Sequence, residues 1–219
     1  MKKYLEILKK CPLFGGMKEE DMIPMLGCIG ASVKTYRKGE FILAEGLPAR
    51  EIGILLSGTL ELTQTDYHGN KNLLATVHAG ELFGESFACA GLGESPLDAV
   101  ATADCEILLL RMEKILHTCH NACSFHNQMI FNLVHVLAAK NVAFQQKLTT
   151  LSKRSTREKV LTYLLFQSKR QGKAEFDIPL DRQALADYLG VDRSGLCVEL
   201  SKLSREGVLS YHKNHFTLH

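Results

Sequence analysis

Between Cys123 and Leu151 the chain places Ile130, Val134, Leu137, Asn141, Phe144, Leu148 and Leu151 at alternating steps of four and three. That is the heptad spacing of a coiled-coil seam, so one long helix with a partner helix is expected. No proline or glycine falls between Cys119 and Lys169 to break it. The break comes instead from Ser155-Thr156-Arg157-Glu158, an S-x-x-E capping box that starts a new helix. A polar Asn141 inside an apolar seam fixes register between two copies at some cost in stability. The dimer seam is thus read as Ile130, Val134, Leu137, Asn141, Phe144 and Leu148. The other reading packs these residues inside one subunit. Leu133, Val136 and Val142 lie off the seam, where a second apolar face would pack on the subunit's own domain.

Two modest domains fit within 219 residues of ordinary globular composition, 46% hydrophobic and 23% charged. Apolar runs such as Ile107 to Leu110 are too short to cross a bilayer, and the start Met1-Lys2-Lys3-Tyr4-Leu5-Glu6 is no signal peptide, so a cytoplasmic protein with no membrane partner is expected. Seven scattered cysteines make no disulfide framework and are expected to be reduced thiols. Charge is uneven. Residues 1–115 carry 12 Lys and Arg against 16 Asp and Glu, whereas residues 116–219 carry 14 against 8. The basic half is the one to suspect of touching a polyanion.

From Ser32 onward, short apolar runs alternate with glycines, the texture of an antiparallel barrel or sandwich. A hairpin over Leu60–Gln64 and Asn72–Val77 turns at His68-Gly69-Asn70, and Ala79 to Ser86 leaves the sheet. Tyr36-x-Lys38-Gly39-Glu40, Glu45-Gly46, Leu55-x-Ser57-Gly58 and Gly80-Glu81-Leu82-Phe83-Gly84-Glu85, in this order and at these intervals, resemble the cyclic-nucleotide-binding β-roll of the cyclic-AMP receptor protein and FNR family of bacterial transcription regulators. The resemblance implies an effector pocket at Gly80, Glu81, Leu82, Phe83, Gly84, Glu85 and Ser86. In that family the stretch opens a short helix whose amides and first glutamate hold the phosphate and ribose of the nucleotide. The plainer reading is that the glycines only shape a turn. Nucleotide-binding members follow this stretch with an Arg-Ser pair that takes the phosphate. Here the region reads Glu94-Ser95-Pro96-Leu97-Asp98-Ala99-Val100, and no Lys or Arg occurs from Glu81 to Leu110. A phosphodiester would meet Glu85, Glu94 or Asp98, so the expected effector is a small molecule other than cyclic AMP.

His117 to His126 is the densest run of soft ligands. On a helix Cys119, Cys123 and His126 share one face and could hold a metal or haem iron, although the spacing is no standard zinc pattern and buried cysteine is usually a small hydrophobe. The iron–sulfur cluster of oxygen-sensing relatives is not expected, since only Cys11 precedes Cys28.

In the C-terminal half, Ser155 to Arg170 reads as an amphipathic helix. Asp181 caps Arg182 to Leu189, Gly190-Val191-Asp192 turns, and Asp192 caps Arg193 to Arg205. Two strands around His212-Lys213-Asn214 complete a winged helix-turn-helix. The family resemblance extends over this half as well. By position it puts Arg193, Ser194, Cys197, Val198 and Ser201 toward bases, and Arg182, Gln183, Lys202 and Lys213 toward phosphate. Better-known members carry Glu at the position of Ser194 and Arg at that of Val198, so their operator is not carried over. Glu199 stands where relatives have an apolar residue.

The expected architecture is α+β: a jelly-roll β-roll sensor over 1–115, a dimerisation helix over 116–151 and a winged-helix DNA-binding domain over 152–219. Its implied partners are palindromic double-stranded DNA, a second copy of the chain, a small-molecule effector, and RNA polymerase as a further candidate. No enzyme is expected, because G-x-S-x-G, P-loop and H-E-x-x-H patterns are all missing. The alternatives are a redox, metal or haem sensor working through the 117–126 cluster, and a nucleotide-binding module of a kinase or channel.

Overall fold

The computed structural model describes residues 2–69, 71–116 and 124–219. By packing, the chain divides into two units, residues up to Ala138 and Ala139–His219, with the division inside one long helix. In the first unit a short 3₁₀ turn leads into α1 (Leu5–Leu8), and a second precedes α2 (Glu19–Cys28). Strands β1 (Ser32–Tyr36), β2 (Phe41–Leu43), β3 (Glu51–Ser57), β4 (Leu60–Thr65), β5 (Lys71–Val77) and β6 (Leu82–Phe83) follow, then α3 (Glu85–Ala90), β7 (Asp98–Ala101), β8 (Cys105–Arg111) and α4 (Met112–Leu116). The strands form two antiparallel sheets, β1-β8-β3-β6 and β2-β7-β4-β5.

Strand periodicity explains where the cores sit. Along β3 and β8, Leu55, Ile107 and Leu109 pack with Leu60, Phe83 and Ala99 in one cluster. The alternate residues Ile52, Ile54, Leu56, Leu108 and Leu110 pack on the opposite side with α1 and α2. A strand buried on both faces must be apolar throughout, which is why Ile52–Leu56 reads as a continuous run.

Helix α5 (Ser124–Leu151) has 28 residues, about 42 Å at 1.5 Å per residue. Met129 and Leu133 insert into the core beneath α1 and α2, with Ile130 and Leu137 half-buried beside them. Asn132 is buried, and its side-chain amide donates to the carbonyls of Leu13 and Gly15, both at 2.9 Å. Two seam residues therefore also serve the subunit's own core. Val142, expected to pack inward, is instead 53% exposed, because the core of the first unit does not extend beyond Leu137 along the helix.

The second unit contains the end of α5, α6 (Thr156–Gln171), β9 (Glu175–Asp177), α7 (Arg182–Leu189), α8 (Arg193–Arg205), β10 (Leu209–His212) and β11 (His215–Leu218), with the strands in the order β10-β11-β9. The capping box is formed in both directions: the Ser155 hydroxyl accepts from the Glu158 amide, and the Glu158 carboxylate accepts from the Ser155 amide. Leu164, Leu185, Leu189, Leu196, Leu200, Leu203 and Phe216 make the core. No helix among the described residues is long and apolar enough to cross a membrane.

Candidate nucleic-acid interface and effector cavity

The recognition helix is fixed at its start. Gly190 adopts φ +58° and lies 3.6 Å, measured from where a Cβ would stand, from Leu151 of α5. The Val191 amide closes back on the Ala186 carbonyl, and the Asp192 carboxylate accepts from the Gly195 amide at 2.9 Å and from the Ser194 hydroxyl. These donors hold the Asp192 carboxyl below its usual range. Leu196, Leu200 and Leu203 point inward at helical spacing. That leaves Arg193, Ser194, Val198, Ser201 and Lys202 exposed on the opposite face, with Cys197 half-buried at its edge. The Ser201 hydroxyl donates to the Cys197 carbonyl within the helix.

Arg193 and Lys213 line the same groove, of about 800 Å³, together with Arg182 and Gln183. Asp177 and Asp181 give that groove an acidic side. Lys213 sits at the tip of the β10–β11 hairpin with φ +51°, a left-handed conformation that disfavours residues other than glycine and asparagine. Arg182 holds this tip. Its guanidinium lies 5.1 Å from the ring centroids of both Tyr211 and Phe216 and donates to the Lys213 carbonyl. Burial lowers its pKa. The Arg182 guanidinium, expected on phosphate, is folded against the wing, where two aromatic faces and a carbonyl meet. Gln183 donates to Asp187 one turn along α7.

In the first unit, a cavity of about 820 Å³ opens between β1, β3 and β8 on one side and β2 with the end of α3 on the other. Of the seven residues expected there, only Phe83 lines it. Gly80 (φ +92°) ties its amide to the Leu55 carbonyl at 2.7 Å, and the Glu81 carboxylate accepts from the His78 amide at 2.8 Å. Gly84 (φ +77°) would bring a Cβ to 3.3 Å from the Glu51 carbonyl, Leu82 and Glu85 are buried, and the Ser86 hydroxyl lies 3.4 Å from the Glu85 carboxylate. Gly80 and Gly84 shape turns, Leu82 and Phe83 form β6, and Glu85 and Ser86 open α3. Lys34, Arg50 and Arg111 line the cavity with Glu51 and Glu113. Glu85, Glu94 and Asp98 do not line it; the cations of this cavity come from outside the 81–110 window.

The Crp-like helix-turn-helix domain model matches residues 158–219, and the cyclic nucleotide-binding domain model matches residues 33–122. The cyclic AMP receptor protein of Thermus thermophilus is 29% identical over 92% of this chain and 89% of its own length. The chain belongs to the CRP/FNR family of transcription regulators. The family is one of DNA-binding regulators, not enzymes. The activator FnrL of Cereibacter sphaeroides is 22% identical over 81% of this chain and 72% of its own length. The crystal structure of the Thermus thermophilus catabolite activator protein superimposes with a TM-score of 0.56 at 28% identity, covering 95% of this chain and 93% of that one.

Against the family pattern, Glu199 now has a place. It is mostly shielded and lies 3.5 Å from Arg157, which also pairs with Glu206, so it ties the recognition helix to the start of α6. Arg205 was missed by sequence reasoning. It is exposed one turn beyond Ser201, whose carbonyl accepts from its Nε at 3.3 Å, and continuing the exposed stripe by four would have found it. Of the suggested metal ligands, Cys119 and Cys123 lie outside the described residues, and His126 is buried. Among the described residues no three His, Cys, Asp or Glu side chains group as a metal site. Burial pushes the Cys11 thiol up to about 11, which leaves it unreactive.

Proposed function

We propose that the protein acts as a homodimer on a palindromic DNA site, with α8 in the major groove, the wing on the backbone, and a small-molecule effector other than cyclic AMP held in the β-roll. It works in the cytoplasm, and RNA polymerase is its further partner. The observation that carries the reading is the shared groove: Arg193, at the helix end that reads bases, and Lys213, at the wing tip, open on one surface. Arg193 bonds both acceptors of a guanine, worth about 1–3 kcal/mol of discrimination, while Lys213 meets a phosphate. The outward faces of Ser194, Cys197, Val198, Ser201 and Lys202 supply the remaining base and backbone contacts. The reading is tested by selection on randomised DNA followed by titration at several salt concentrations. Arg193→Ala is expected to flatten preference at one base pair per half-site. Lys213→Ala is expected to weaken all sequences alike and make the salt dependence shallower. An unchanged preferred sequence for Arg193→Ala defeats this placement.

Dimerisation is carried by a different observation. Val134, Phe144, Leu148 and Leu151 are 36–62% exposed along one heptad stripe of α5, with Asn141 among them. Leu148→Glu is expected to give monomers by sedimentation and to abolish tight operator binding, since a half-site contact alone is weak. Leu148 is the better test than Leu137, which is half-buried in its own subunit's core. A Leu148→Glu protein that stayed dimeric would remove the seam.

A further inference from the structure

We propose that the β-roll cavity takes an organic carboxylate with an apolar body, clamped at its mouth by Arg50 and Arg111 rather than by the Gly80–Ser86 stretch. This inference rests on reading the β-roll as the sensor. At about 820 Å³ the cavity falls within the range of small-molecule sites. Its floor is closed by packing. Gly53 of β3 has no side chain, and the Phe83 ring fills that space so closely that a Cβ on residue 53 would stand 2.1 Å from a ring carbon. Ile42, Leu43 and Leu109 line the cavity as apolar wall.

The mouth carries the charge. Glu51 of β3 stands opposite Arg111 of β8 in register, yet among the described residues Lys34, Arg50 and Arg111 make no ion pair with any carboxylate. Three cations beside Glu51 and Glu113 leave an excess of one positive charge, complementary to a single carboxylate. Guanidinium groups take a carboxylate bidentately, which an ammonium does not. Only Ala88 and Cys89, at the far end of α3, reach the cavity, so the first-turn amides that would receive a phosphate do not line it. That favours a carboxylate over a phosphodiester.

The test is titration calorimetry on the purified full-length protein with 2-naphthoate, its neutral counterpart 2-naphthamide, and cyclic AMP. Saturable 2-naphthoate binding is expected, with 2-naphthamide and cyclic AMP each about tenfold weaker or more, the scale of a lost charge-assisted bond. Arg50→Gln and Arg111→Gln, both exposed positions that leave the core intact, are each expected to lose about tenfold for 2-naphthoate while leaving 2-naphthamide unchanged. Equal binding of acid and amide, no binding of either, an unaltered Arg111→Gln protein, or cyclic AMP as the tightest ligand each overturns the proposal. Operator titration on the same samples separates the two readings. Intact DNA binding without 2-naphthoate binding defeats this inference alone, and the reverse outcome defeats the regulator reading alone.

Discussion

The groove of the second unit and the cavity of the first differ in how the chain builds them. Arg182, Gln183, Arg193 and Lys213 come from one stretch of two capped helices and a hairpin, so helical period and cap residues already arrange them. The cavity draws Lys34, Phe83, Ala88 and Arg111 from four separate elements and Arg50 from the loop before β3, brought together mainly by strand register. A site built locally can change one contact at a time. A site built by register answers to the whole sheet.

The sharpest way to break that contrast is to attack each site from its support. Leu200→Ala empties a fully buried position behind the recognition helix and is expected to cost about 2–5 kcal/mol. Its signature is faster amide hydrogen exchange within 156–218, with β3 and β8 unaffected; accelerated exchange in both strands would mean the two sites share one support. A smaller loss is expected for Gly53→Ala, where the added Cβ must displace the Phe83 ring, an overpacking cost of about 1–3 kcal/mol. Operator preference should survive that change, and a DNA selection that shifted would contradict the contrast. Ser155→Ala removes the capping hydroxyl of α6 and is expected to cost about 1 kcal/mol in urea unfolding of the second unit.

The smallest effect is one of pH within the groove. His215 sits between Asp177 at 3.0 Å and Glu175 at 2.9 Å, and these two carboxylates raise its pKa above the ordinary 6.5. Because the folded value is raised, the stabilisation is full below 6.5, while the carboxylates stay ionised, and fades as pH climbs through the folded value. A thermal-melting series from pH 6 to 9 should therefore slope downward, and His215→Gln should flatten it. Identical slopes in both proteins would rule the ion pairs out as the cause.

The same contrast explains what could be read from sequence. Helix α7 begins and ends, and α8 begins, where Asp181, Gly190 and Asp192 say they should, because a cap acts within four residues of itself. The strand-rich first unit was equally legible as a class, since the glycine punctuation and period-two runs are local signals. Its cavity was not. Counting cations between residues 81 and 110 stopped one residue short of Arg111, and nothing near Lys34 or Arg50 in sequence announces that they will face it. The packing of Arg182 was not legible for a related reason: nothing next to a basic residue opening a helix announces that Tyr211 and Phe216 will flank it.

The left-handed Lys213 bears on how this wing can vary over generations. Glycine or asparagine at 213 would keep the hairpin's shape and discard its charge, whereas valine, isoleucine or threonine would keep neither. Because Arg182 holds the Lys213 carbonyl, a change at 182 loosens the strained tip unless 213 is a residue, such as glycine or asparagine, that adopts this conformation unaided. Positions 182 and 213 are thus free to drift only as a pair, and a saturation library of both should show tolerated combinations that neither single-site library contains.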